Sequence, residues 1–230
     1  MEKLSLSAWL DEANASNLSF GIFCLQTQAS ELELPETDLL GRMKQTLSVM
    51  QEAIAYGLSG VRSTGGLVGG DGLRMKLHGS GKQPPRSLLG ALPAKAAAYA
   101  LAANEANAAM GKICAAPTAG SSGVLPGVLF SIAEDRGISQ DDLAVALLVA
   151  GVIGMVIASR ASLSGAEGGC QAECGSAAAM AAGAIVDLLG GSPDQVGHAA
   201  ALALKNLLGL VCDPVAGLVE VPCVKRNAGA

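Results

Sequence analysis

Apolar residues recur at helical spacing along much of the chain. The clearest case lies between Glu36 and Ser59, where the steps are four, four, three and four residues: Leu39, Met43, Leu47, Met50 and Ile54. Because this spacing places the side chains on one face of a helix, it predicts a long helix here. Gly57 and Gly60 are expected to end it.

Local start signals predict two more helices. Ser139 precedes Asp142 by three residues and resembles a capping box, which starts a helix. A second start combines a serine cap, a proline at the first helical position and a glutamine three residues after the cap, at Ser192, Pro193 and Gln195. This second helix should run to about residue 208.

Alanine-rich stretches predict helices from about Pro93 to Met110 and from Glu173 to Leu189. Another helix should follow residue 123, with Pro126 in its first turn. No stretch alternates between apolar and polar residues as a strand would, and neither an internal repeat nor a linker divides the chain. The sequence therefore predicts one all-α, multi-helix domain over residues 1–230.

One predicted helix is apolar on every side. Residues 143–159 contain no charged side chain, with Asp141 and Asp142 before them and Arg160 after them. The run falls just short of the roughly 20 residues that span a bilayer. A helix buried in a bundle is the preferred interpretation, and we expect no membrane association.

Composition indicates close helix packing. Half of the chain is apolar but only 3% is aromatic, and 30 of its 230 residues are glycine, roughly twice the usual share. Small residues on this scale allow helix backbones to approach one another or a ligand. The net charge is −5 and the basic residues are scattered, so nucleic-acid binding is not expected.

The cysteines indicate a reducing compartment. The N-terminus lacks the charged and then apolar pattern of a secretion signal, so we expect a cytoplasmic protein. Six cysteines in such a chain favour free thiols or ligands over disulfides.

Three cysteines are candidates for metal ligands. Cys170, Cys212 and Cys223 each follow or precede glycine or proline in a polar segment, which predicts that all three lie in turns. Thiolates from separate loops are what an iron–sulfur cluster needs, and three of them leave one iron of a four-iron cluster without a protein ligand. The alternative is that each is a small buried hydrophobe, as we expect for Cys24, Cys114 and Cys174.

Two glycine-rich loops are candidates for anion binding. Residues 117–123 run into a predicted helix start, so their backbone N–H groups and the hydroxyls of Thr118, Ser121 and Ser122 suit a carboxylate. The loop that begins at Ser63 is a second candidate. Ordinary helix capping and a flexible connection are the respective alternatives.

Taken together, these segments resemble the α chain of bacterial iron–sulfur-dependent L-serine dehydratases. The matching segments cover nearly the whole chain: residues 63–66 (Ser-Thr-Gly-Gly), 69–71 (Gly-Gly-Asp), 107–113 (Asn-Ala-Ala-Met-Gly-Lys-Ile), 115–127 (Ala-Ala-Pro-Thr-Ala-Gly-Ser-Ser-Gly-Val-Leu-Pro-Gly), 165–173 (Gly-Ala-Glu-Gly-Gly-Cys-Gln-Ala-Glu) and 213–227 (Asp-Pro-Val-Ala-Gly-Leu-Val-Glu-Val-Pro-Cys-Val-Lys-Arg-Asn).

The resemblance implies a helical domain that holds a four-iron, four-sulfur cluster through Cys170, Cys212 and Cys223. It further implies conversion of L-serine to pyruvate and ammonia without pyridoxal phosphate, with the serine hydroxyl on the open iron. We expect the loop with Thr118, Ser121 and Ser122 to bind the substrate carboxylate, with the Ser63 loop opposite.

The base that removes the α-proton stays open. His78 has a suitable intrinsic pKa, whereas Lys112, Lys205 and Lys225 would need theirs lowered by burial or neighbouring charge. The sequence places none of the four.

The chain departs from the family pattern at both ends. Family members usually continue beyond Ala230, so the domain is expected to be truncated or naturally short. One-chain members carry an N-terminal β domain that is missing here, so a separate β chain is an expected partner, and homo-oligomer formation stays open. The alternatives to serine dehydration are a related cysteine desulfidase and a cluster-free chain that only associates with a partner.

Overall fold

Eleven α-helices make up most of the computed structural model, which describes residues 5–79, 88 and 90–230. They are α1 (Leu6–Ala15), α2 (Phe20–Glu31), α3 (Glu36–Gly57), α4 (Asp71–Gly79), α5 (Ala91–Ala108), α6 (Val124–Arg136), α7 (Gln140–Arg160), α8 (Gly165–Gly168), α9 (Ser176–Leu188), α10 (Pro193–Asn206) and α11 (Glu220–Gly229). Within the described ranges there is no strand beyond two isolated bridges. The all-α prediction is confirmed.

The capping signals act as the sequence predicts. The Ser139 hydroxyl accepts a hydrogen bond from the Asp142 N–H at 3.1 Å and starts α7. At the start of α10, the Ser192 hydroxyl accepts from the Gln195 N–H, and the Gln195 side chain accepts from the Ser192 N–H. Such caps satisfy N–H groups that have no partner inside the helix.

Helix α7 lies at the centre of the core and packs against α2, α3 and α9. By length and composition it is the one described helix that could cross a membrane, yet 61% of its most apolar stretch is buried inside the protein. Its packing therefore buries most, but not all, of its apolar surface, and Met155 stays exposed. The absence of membrane association stays a prediction.

A glycine allows α3 to lie directly against α5, the helix that carries part of the candidate site. A Cβ atom on Gly57 would lie 1.9 Å from the backbone carbonyl oxygen of Ala102, a distance that real atoms do not adopt. In the same helix, a Cβ atom on Gly41 would meet nothing within 4 Å. Gly57 can therefore be tested by substitution, with Gly41 in the same helix as its control.

Replacing Gly57 with alanine should lower the free energy of unfolding by about 3 kcal/mol, because the two backbones must move apart. Replacing Gly41 with alanine should instead raise it by about 0.5–1 kcal/mol, through lower entropy of the unfolded chain. Urea unfolding of both variants measures the difference. Equal effects of the two substitutions would show that α3 and α5 do not approach as described.

Candidate functional site

A cavity of about 640 Å³ opens between the C-terminal end of α5, the loop before α6, the segment around α8 and the N-terminal end of α11. Its wall includes polar and thiol groups from these four segments and from the loop between α10 and α11: Asn104, Asn107, Thr118, Ser164, Glu173, Cys212, Glu220 and Cys223. Residues more than one hundred positions apart in the sequence thus line the same cavity.

Two asparagines of α5 fix the loop before α6. The side-chain amide of Asn104 donates to the carbonyl oxygens of Ala119 and Gly120 and to the hydroxyl of Ser122, at 3.1–3.2 Å. Asn107 donates to the same Ala119 oxygen at 3.0 Å. Because Asn104 is only 1% exposed, these bonds are shielded from water and hold the loop in one shape.

The four predicted substrate-binding residues occupy different positions around the cavity. Thr118 lines it and donates its hydroxyl to the Glu173 carboxylate at 2.8 Å. The Ser121 and Ser122 side chains are buried beneath the loop, and Ser121 donates to the carbonyl oxygen of Ala116. Ser63 is also buried, and its hydroxyl accepts from the N–H of Val68. Of the four, Thr118 alone belongs to the described wall.

The three predicted ligand cysteines lie in three different local structures. Cys170 stands at the head of a π-helical turn, residues 171–175, and Cys212 lies in the loop between α10 and α11. Cys223 lies inside α11, so the prediction that it sits in a turn is wrong. The reason is Pro222: a proline is tolerated in the first turn of a helix, where its missing N–H costs nothing.

Backbone contacts bring the Cys170 and Cys212 segments together. The N–H of Gln171 donates to the carbonyl oxygen of Leu210 at 2.9 Å. Gly169 has φ of +73°, and a Cβ atom there would lie 2.8 Å from that same oxygen. A glycine before Cys170 is therefore required for the close approach.

Arg226 of α11 connects the helix that carries Cys223 to the other cysteine segments. Its guanidinium donates to the carbonyl oxygen of Val211 at 2.7 Å and to the Asp213 carboxylate at 2.8 Å, so it spans Cys212. It also lies close enough to the Cys170 thiol for its positive charge to lower the pKa of that thiol. One side chain thus links all three cysteine segments.

The charges of the thiols contribute to one another's pKa values. Burial raises the pKa of Cys170, and the charge of Cys212 adds to the rise while Arg226 opposes it. Burial, then Glu173, then the other two thiols raise the pKa of Cys223 to about 11. The three thiols therefore lie within electrostatic range of one another; Cys212 and Cys223 line the cavity wall, and Cys170 is buried.

Two other cysteines are buried, as expected for small hydrophobes. Cys24 packs in the main core, where burial and the nearby Asp187 raise its pKa. Cys174 is 2% exposed and burial raises its pKa to about 12, although it lies close enough to Cys170 and Cys223 for their charges to contribute. Cys114 is partly exposed and lies outside the cavity wall.

The three thiols are the type of donor that an iron–sulfur cluster requires. Among the residues that the structure describes, no three His, Cys, Asp or Glu side chains converge where one metal ion would bind. A single ion requires its thiolates to converge at about 2.3 Å from one point. A cluster binds each thiolate at a different iron, so neighbouring thiols that do not converge suit it.

None of the four candidate bases lies in the described cavity wall. His78, Lys112 and Lys205 are exposed on the surface. Lys225 forms an ion pair with Asp71, and burial lowers its pKa. The identity of the base therefore does not follow from these four side chains.

Sequence analysis missed three functional side chains. The carboxylates of Glu173 and Glu220 line the cavity. Asn227 is 2% exposed and binds the loop, since its side chain accepts from the N–H groups of Gly123 and Val124. Their positions in the sequence could have indicated them, because each lies within four residues of a candidate cysteine.

Comparison of the sequence with known proteins shows the family of this chain. A sequence model described as "Serine dehydratase alpha chain" matches residues 5–230. The "Probable L-serine dehydratase, alpha chain" of Bacillus subtilis is 53% identical over 204 residues, which cover 87% of this chain and 67% of that protein. The "L-serine dehydratase, alpha chain" of Peptoniphilus asaccharolyticus is 52% identical over 143 residues, or 62% of this chain and 49% of that protein.

The match covers a smaller share of a longer relative. The "L-serine dehydratase" of Streptomyces coelicolor is 51% identical over 133 residues, which cover 57% of this chain but only 29% of that protein. The matched part of this chain thus spans from under a third to two thirds of the length of these three relatives.

Proposed function

This chain belongs to the serine dehydratase alpha chain family, and from that membership we propose that it converts L-serine to pyruvate and ammonia by β-elimination of water. The observation that carries the proposal is the meeting of two thiols, a loop fixed by hydrogen bonds and two carboxylates in the wall of one cavity, with a third thiol within electrostatic range. L-Serine carries a hydroxyl, a carboxylate and an ammonium group, and the wall offers a matching group for each.

We propose that Cys170, Cys212 and Cys223 hold a [4Fe–4S] cluster. Their mutual electrostatic influence and the place of Cys212 and Cys223 in the cavity wall support this assignment. When bound, such a cluster supplies a Lewis acid that stabilises hydroxide as it leaves. Arg226 holds the Cys212 loop against α11 and so presents this thiol to the cavity.

The loop that contains Thr118 would bind the substrate carboxylate. It precedes α6, so the positive end of the helix dipole favours an anion. The N–H groups of Gly123 and Val124 are bonded to Asn227, so the anion would lie at the earlier part of the loop, beside Thr118. Thr118 lies in the wall, while Ser121 and Ser122 hold the loop from beneath. In this proposal the buried serines, with Ser63 in the neighbouring loop, act by shaping the binding surface. A fixed loop aligns the substrate before a bond breaks.

Replacing Thr118 with alanine should raise the KM for L-serine about tenfold, because a hydrogen bond to a charged group is lost. Steady-state pyruvate formation measures the change. Thr37→Ala, on the exposed start of α3, is the matched control and should leave KM unchanged. An unaltered KM in the Thr118 variant would remove this loop from the substrate site.

The activity itself is tested with two substrates. Anaerobically reconstituted protein, co-expressed with a candidate β chain, is assayed with L-serine and L-cysteine side by side. We expect equal amounts of pyruvate and ammonia from L-serine. Sulfide from L-cysteine without turnover of L-serine would identify a desulfidase, and no turnover of either would identify a chain that only associates.

We also propose a separate β chain as partner, in the cytoplasm. The names of the Bacillus and Peptoniphilus relatives, which call each an alpha chain, support the first part. Six free thiols suit a reducing compartment and support the second. Co-purification of the two chains is the expected result.

A further inference from the structure

The Glu220 carboxylate is held by only one of its oxygens. Its Oε1 accepts a hydrogen bond from the N–H of Gly65 at 3.1 Å. Its Oε2 is shielded from solvent and has no hydrogen-bond partner within the described residues. A buried carboxylate oxygen without a partner is costly, so this atom is suited to a donor that arrives with a ligand.

Glu220 belongs to the same wall as a candidate cluster ligand. It lies three residues before Cys223 in α11, which places both side chains on one face of the helix. Both line the 640 Å³ cavity. Gly65 permits this position of the carboxylate, because a Cβ atom there would lie 2.4 Å from Oε1. The contact joins α11 to the Ser63 loop across 155 residues of sequence.

The second carboxylate of the wall is already engaged. Glu173 accepts the Thr118 hydroxyl through Oε1, and its oxygens lie against the backbone of Gly120 and Gly165. Its charge also raises the pKa of the Cys223 thiol, which places it on the thiol side of the cavity. Glu220 is thus the wall carboxylate that has a buried oxygen without a hydrogen-bond partner among the described residues.

We propose that Glu220 recognises the α-ammonium group of the substrate and so selects α-amino acids over the corresponding hydroxy acids. The inference rests on the proposed function, since it assigns the one group of L-serine that the cysteines and the Thr118 loop do not bind. A carboxylate is the acceptor that an ammonium group binds most strongly, through charge-assisted hydrogen bonds. Glu220 is a specificity residue in this scheme.

The test compares L-serine with two ligands that each lack one of its groups. L-Serine and 3-hydroxypropanoate share the carboxylate and the hydroxyl, and L-alanine carries the ammonium without the hydroxyl. In the cluster-loaded protein with its β chain, Glu220→Gln should raise the KM for L-serine and the calorimetric Kd for L-alanine by about 10- to 100-fold. The inhibition constant of 3-hydroxypropanoate should change less than about twofold.

Two further variants separate charge from shape. Glu220→Asp keeps the charge and should recover part of the affinity for L-alanine, although it shortens the reach to Gly65. Glu12→Gln, on the exposed face of α1, is the matched control and should alter none of the three values. Thermal unfolding of each variant verifies that it is folded.

Two results would overturn the inference: equal weakening of all three ligands by Glu220→Gln, which marks a structural role, or unchanged binding of L-alanine. Failure of the proposed function looks different, because the wild-type protein would then form no pyruvate from L-serine at all. An active wild type with a Glu220→Gln variant of unaltered ligand preference refutes this inference alone.

Discussion

Replacing Cys212 with serine should abolish pyruvate formation from L-serine and remove most of the iron retained after anaerobic reconstitution. Loss of groups that only support a metal ligand already costs about 10- to 100-fold in affinity or activity, so loss of a ligand should cost more than about 100-fold. Cys212 is exposed in its loop, and the free energy of unfolding of the cluster-free protein should change by less than about 0.5 kcal/mol.

Cys114→Ser is the matched control for this experiment. Cys114 is partly exposed and lies outside the cavity wall, so its variant should keep both iron and activity. Iron, acid-labile sulfide and pyruvate are measured on the same preparations. A Cys212 variant with wild-type iron content would exclude this thiol as a ligand.

Replacing Asn227 with alanine should lower the free energy of unfolding by about 3 kcal/mol or more and should also impair activity. Its side chain accepts from Gly123 and Val124 at 2.8 and 3.1 Å, and donates to the carbonyl oxygens of Gly120 and Cys223 at 2.7 Å. Each buried group left without a partner costs about 1–3 kcal/mol. The same change releases the substrate loop from the helix that carries Cys223.

Urea unfolding and pyruvate formation measure the two effects of the Asn227 substitution. Asn206→Ala, at the exposed end of α10, is the control and should shift the free energy of unfolding by less than about 0.5 kcal/mol. If Asn227→Ala behaved like this control, the loop and α11 would be held together by other contacts.

Local signals were sufficient to predict much of the fold. The Ser139 and Ser192 caps act within three residues of themselves, so the sequence alone determines them. Helix α4 depends instead on a distant residue. The buried carboxylate of Glu105 accepts from the N–H groups of Asp71 and Gly72, at 2.7 and 3.3 Å, and so caps a helix in a segment that reads as a flexible loop.

The candidate site also contains residues that local sequence predicts and residues whose roles depend on distant partners. The cysteines could be predicted because their residue type and neighbours are distinctive, and the resemblance to a family made the three specific. Glu220 and Asn227 acquire their roles from partners 155 and more than 100 residues away, which no local pattern records. The Ser121 and Ser122 hydroxyls were expected to face a ligand, but the packing of α5 against the loop buries them.

The central claim is that this chain holds an iron–sulfur cluster through three cysteines and uses it to dehydrate L-serine. The most direct test uses the chain co-expressed with its β chain and prepared anaerobically. Samples of this preparation are reconstituted to different iron contents, and iron, sulfide and pyruvate formation are measured in each. We predict about four irons and four sulfides per chain at full loading, with a rate of pyruvate formation that rises in proportion to iron content. Full activity in iron-free protein, or no activity in fully loaded protein, would contradict the claim.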